Sequence, residues 1–194
     1  MTRFAVLLML MMFVVAGLPM ACMSGAEVAT VEADRDAQQV EMMRLEGLIV
    51  DGQGDALRGR ELFASRCGNC HQLFDTGTAS AAAPDLTPYK RDREAIPSLL
   101  EKVAFPDAEL HPYHAMFEIS TRDGRVLSGV MTERDEDELT LVNVAGRPIT
   151  LERDNITEER PLYTSMMPAH LITSMTDQQV VDLFTFLLAD TQPE

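Results

Sequence analysis

The stretch Cys67-Gly68-Asn69-Cys70-His71 constrains this chain more than any other. Its spacing is C-x-x-C-H, the pattern that attaches a c-type haem. Two cysteines with two residues between them, on one turn, can reach the two vinyl groups of a haem and form thioethers. His71 then falls under the iron, with an imidazole nitrogen as proximal ligand. Gly68 and Asn69 are small enough for a porphyrin edge to lie near the backbone. C-x-x-C alone also fits a thiol redox motif, half a zinc site or a short structural disulfide. The adjacent histidine and an export-like N-terminus favour haem.

That N-terminus reads Met1-Thr2-Arg3, then an uncharged run from Phe4 to Ala21. One basic residue before an apolar stretch is the pattern of a secretory signal. Ser24-Gly25-Ala26 supplies small residues for cleavage, so residues 1–26 are expected to be a signal peptide. An uncleaved anchor is the alternative, as is lipidation at Cys22, although Pro19 is a poor fit to a lipobox. Removing residues 1–26 takes away Arg3 and no acid, so the net charge passes from −15 to −16. Such acidity argues against nucleic acid and anionic membrane surfaces, and permits steering toward a basic partner.

Residues 27–54 read as a spacer with a short helix, ending in the break Asp51-Gly52-Gln53-Gly54-Asp55. From residue 55 to 194 one haem domain is expected. Asp55 can cap a helix through Arg66 with Leu57, Leu62 and Phe63 on one face. Gly59 is best explained by another helix crossing there. After His71, the carbonyl of Pro84 is a reasonable acceptor for the second imidazole nitrogen. A second helix is expected near Ile96, with Leu99, Leu100 and Val103 buried and Pro97 in its first turn. Tyr89, Lys90, Arg91 and Arg93 are candidates to meet haem propionates. His111 and His114 raise a zinc alternative with Cys67 and Cys70, or a second axial ligand; Pro112 between them argues against a helical pair.

Residues 115–155 change period. Met116–Thr121, Val126–Met131, Leu139–Val144 and Ile149–Arg153 read as four short strands, with the hairpin signal Asp123-Gly124 between the first two. A small sheet or partial barrel leaning on the helical core is expected. Ser165-Met166-Met167-Pro168 then follows a loop. A thioether sulfur suits the sixth iron position, and Met166, Met167 and Met175 compete for it. Thr176 and Gln179 look like a capping box opening a strongly apolar helix to Asp190, with Phe186 placed to pack near Gly59 and Phe63.

Taken together, Gly59-Arg60-Glu61-Leu62-Phe63, Cys67–His71, Pro84-Asp85-Leu86-Thr87, Asp123-Gly124-Arg125 with Gly129, Ser165-Met166-Met167-Pro168 and Asp182-Leu183 with Phe186-Leu187 resemble a known family. It is the c-type cytochrome-like haem-binding domain named for Pirellula and Verrucomicrobium proteins. The resemblance implies a mainly α, class I-like cytochrome c core around one haem, with the β insertion before the distal loop. It also implies Met167 as distal ligand, with Met166 as the fallback. Two positions depart from the pattern: Ala83 and His170 stand where glycines are usual. In that family the domain is often the tail of a larger dehydrogenase-like chain.

The expected function is an exported, periplasmic carrier of single electrons with one covalent haem c, passing them between redox protein partners, a periplasmic dehydrogenase among the candidates. A haem peroxidase-like enzyme, a thiol oxidoreductase and a zinc-binding module are the alternatives.

Overall fold

The computed structural model describes residues 25–89, 92–108, 110, 112–169 and 171–194. The expected signal segment, Cys22, Lys90, Arg91, His111 and His170 therefore lie outside the described residues. The chain divides into two units, 1–37 and 38–194. Of the first, the described part is the opening of helix α1 (Gly25–Asp51).

The second unit contains the rest of α1 and helices α2 (Ala56–Arg66), α3 (Ile96–Ala104) and α4 (Asp177–Leu187). Asp55 caps α2, its carboxylate accepting from the N–H groups of Leu57 and Arg58. Pro97 sits in the first turn of α3, where its missing N–H costs nothing. Thr176 and Gln179 close the capping box on α4. Leu45 and Ile49 share one apolar cluster with Phe63, Leu100, Phe184 and Phe186. The core thus reaches back across Gly52 and Gly54 into a stretch whose polar composition suggested a spacer.

Helix α2 crosses α4 without an intervening side chain. A Cβ at Gly59 would meet the carbonyl oxygen of Asp182 at 2.0 Å and Phe186 Cβ at 2.8 Å. One turn on, the rings of Phe63 and Phe186 meet edge to face, centroids 5.5 Å apart at 61°. At the other side Arg58 Nε donates to Asp182 Oδ2 (2.7 Å), while the Asp55 N–H and Gln178 Nε2 donate to Oδ1 (2.8 and 2.9 Å). Asp182 is 2% exposed. The Arg58 guanidinium, and then those two neutral donors, hold its carboxyl down at about 2 against an ordinary 3.8, despite the opposing effect of burial.

The expectation of a mainly α molecule with four strands is overturned. Among the described residues, four helices stand beside a five-stranded antiparallel sheet. Beside a two-residue pair, β1 (Gln72–Leu73) with β2 (Thr76–Gly77), the sheet comprises β3 (Ala115–Thr121), β4 (Val126–Arg134), β5 (Glu138–Val142), β6 (Pro148–Glu152) and β7 (Ile156–Ser165). The strand order is β6-β5-β4-β3-β7. The fifth strand reads ITEERPLYTS, which lacks apolar alternation and contains a proline. Both are tolerated because β7 is an edge strand. Its neighbour in sequence, β6, forms the opposite edge, yet only the turn Arg153–Asn155 joins them. The sheet must therefore curl, and Arg153 reaches Glu159 of β7 from that turn. Ile119, Leu139, Leu141 and Leu151 fill the inside of this partial barrel. Its other face packs Met116, Val130 and Val142 on Ala82 and Met166.

Two outcomes test this account. Gly59→Ala should cost about 1–3 kcal/mol by forcing α2 off α4, read from the denaturant midpoint. Asp182 has a depressed folded pKa, so its contribution is present above about pH 4 and lost as pH falls from 3.8 toward about 2. Asp182→Asn should cost about 1–2 kcal/mol at neutral pH, allowing for screening at half-exposed Arg58. It should also flatten the stability profile over that acid window.

Candidate functional site

The C-x-x-C-H stretch continues the last turn of α2. The N–H groups of Cys67 and Gly68 both donate to Phe63 O (2.8 Å each), and those of Cys70 and His71 donate to Cys67 O (3.0 and 2.9 Å). The motif is thus a wound turn anchored on a helix whose Phe63 is fully buried. Gly77 folds against it with φ +87°, and a Cβ there would meet His71 O at 2.2 Å. Arg60 clips this hairpin to α2, donating to Thr76 Oγ1 (2.9 Å) and Asp75 Oδ1 (3.1 Å).

Pro84-Asp85-Leu86-Thr87 is laced back onto residues 71–74. His71 Nδ1 donates to Pro84 O at 2.9 Å. The Leu86 N–H donates to Gln72 O (2.8 Å), and the Phe74 N–H donates to Thr87 Oγ1 (2.9 Å). Asp85 Oδ1 holds the Thr87 N–H at 2.8 Å. Phe74 takes a left-handed conformation, φ 56°, within this lacing. Pro84 O holds the histidine ring, and the other three bonds tie the segment carrying that carbonyl to residues 72–74. With Nδ1 as the donor, Nε2 is the nitrogen left with a lone pair for a metal.

Cys67 and Cys70 are free thiols, both half-buried. Burial pushes the Cys67 thiol up to about 11. Phe74, Leu86, Leu99, Val103 and Phe105 are half-buried apolar residues packed on the helical core. Two thiols on one turn, an imidazole oriented by a carbonyl, a glycine-lined backbone and half-buried apolar residues fit a covalently tethered haem.

Of the three candidate methionines, Met166 and Met167 follow β7 directly, rather than a loop as expected. Met166 packs against the Ala82–Val130–Val142 cluster. Met175 packs on the helical core. Met167 is half-buried, and its N–H donates to Ser165 Oγ at 3.1 Å. Of the propionate candidates, Tyr89 is exposed and Arg93 donates to Val50 O at the end of α1. His114 is exposed in the turn Pro112–His114. Among the described residues, no three His, Cys, Asp or Glu side chains gather as metal ligands.

Sequence patterns did not reveal Arg60, Thr87 or Asp107 as parts of the site. Asp85-x-Thr87 carries a local Asx signal. Asp107 bonds residues more than fifty positions away and has no local signature.

Thr87→Val should leave the Phe74 N–H without its acceptor and cost about 1–3 kcal/mol, read as a lower melting temperature, with Thr87→Ser restoring most of it.

A family model described as cytochrome c matches residues 56–189, from the first residue of α2 to just beyond α4. No curated protein matches the chain. The family match covers well over half of the sequence and encloses the C-x-x-C-H turn, the barrel and the methionine segment. The chain belongs to the cytochrome c family, whose haem c is covalently bound and whose haem-binding members carry electrons to and from redox protein partners.

Proposed function

We propose that this protein is an exported cytochrome with one haem, passing single electrons between redox partners outside the cytoplasm. The observation that carries this reading is the 2.9 Å bond from His71 Nδ1 to Pro84 O. It fixes the ring and leaves Nε2 to ligate, as a proximal histidine requires. Cys67 and Cys70 tether the haem, and Met167 supplies the sixth ligand. Packing of Met166 and Met175 elsewhere supports that choice. Haem, when bound, supplies an iron that cycles between Fe(II) and Fe(III). The polypeptide's work is to hold both axial positions and keep the ring in an apolar crevice, so nothing else needs to bind at the metal. Export is supported by Arg3 followed by the uncharged run Phe4–Ala21.

A thiol oxidoreductase needs a cysteine with a lowered pKa. Burial of Cys67 acts in the opposite direction.

Purified exported protein should keep its visible haem bands after denaturation and acidic organic extraction. Loss of the porphyrin to the organic phase would remove the covalent reading. Met167→Ala should lower the reduction potential and open the iron to added ligands, as seen by redox titration and imidazole binding. The net charge of −15 should also make electron transfer to a basic partner slow down as salt rises through ~0.1 M, where the Debye length is about 10 Å.

A further inference from the structure

The end of β7 is fastened from outside the barrel. Between the pairs Ala115–Ser165 and Phe117–Pro161, β7 advances four residues while β3 advances two. Leu162–Thr164 therefore bulge, with Tyr163 at φ 52° and 80% exposed. Strand pairing alone holds such a segment poorly. Asp107, in the turn after α3, grips its end. Asp107 Oδ1 accepts the Ser165 N–H at 2.5 Å, and both carboxylate oxygens accept from Thr164 Oγ1 at 3.2 and 3.4 Å. Ser165 Oγ in turn accepts the Met167 N–H at 3.1 Å.

We infer that Asp107 is a positioning residue for the sulfur ligand, acting through Ser165. The inference rests on the reading of Met167 as that ligand. A methionine on a free loop loses ligand strength to the entropy of ordering its backbone. The Asp107–Ser165–Met167 relay removes that freedom before the sulfur is engaged. An anionic acceptor makes the first link stronger than a neutral one. Asp107 is itself exposed, so the grip adds little to the buried core and acts on the segment it holds.

The test uses haem-loaded protein and two readouts, the reduction potential and the affinity of the ferric form for imidazole. Asp107→Ala and Ser165→Ala should each bind imidazole about tenfold more tightly, as loss of one charge-assisted or backbone-directed bond allows, and each should lower the potential. The double variant should exceed neither single by much, because both break one relay. Asp107→Asn should recover part of the effect, since its amide oxygen still accepts from Ser165. If Asp107→Ala matches the unaltered protein in both readouts while Met167→Ala moves both, the relay is wrong and the ligand assignment stands. If Met167→Ala moves neither, the ligand assignment fails and the relay with it. Should Asp107→Ala not fold, Asp107→Asn and Ser165→Ala carry the same comparison.

Discussion

Helices α2 and α4 meet backbone to backbone at Gly59, and the rest of the helical core is arranged by that contact. A glycine inside a helix costs up to about 1 kcal/mol relative to alanine. Close approach repays it by bringing Phe63 onto Phe186 and Arg58 onto Asp182. Because α2 runs straight into Cys67, fixing its axis also fixes the turn that carries both thiols and the imidazole. An error in the crossing would be passed on to every group that faces the haem.

The two segments proposed to hold the haem are built differently. Around His71, a lacing of backbone and Thr87 bonds ties residues 71–74 to residues 84–87, thirteen positions along the sequence. Rigidity there is local. On the other side, the methionine segment hangs from a strand edge, and its restraint comes from Asp107, far away in the chain.

Much of the helical core was legible because its signals are local. Asp55 and the Thr176–Gln179 box mark helix starts by side-chain bonds to nearby N–H groups, Pro97 marks one by its missing N–H, and the structure contains all three. Gly59 was readable because only a close crossing explains it. The fifth strand was not. Thr157-Glu158-Glu159-Arg160-Pro161 has no alternation, and its pairing with β3 is decided by the curl of the sheet. The buried end of α1 was missed for a related reason: Leu45 and Ile49 are sparse among polar residues, and the partners that bury them lie far along the sequence. In the candidate site, C-x-x-C-H is chemistry written in adjacent letters, and the Pro84 carbonyl, thirteen residues on, follows from the acceptor that a liganding histidine needs. Arg60 and Asp107 act across distances that no window of sequence displays.

The pairing of Ala115 with Ser165 has a kinetic consequence. The polypeptide leaves the helical core and returns to it at neighbouring points, so the barrel is a knot on a closed stem. If the barrel forms first, the separation that α4 must span to find α2 shrinks by about fifty residues, relieving roughly 0.5 kcal/mol of loop-closure entropy. The insertion would then act as a splint, shortening the search by which the C-terminal helix docks and leaving the sulfur-bearing segment already at the rim of the crevice.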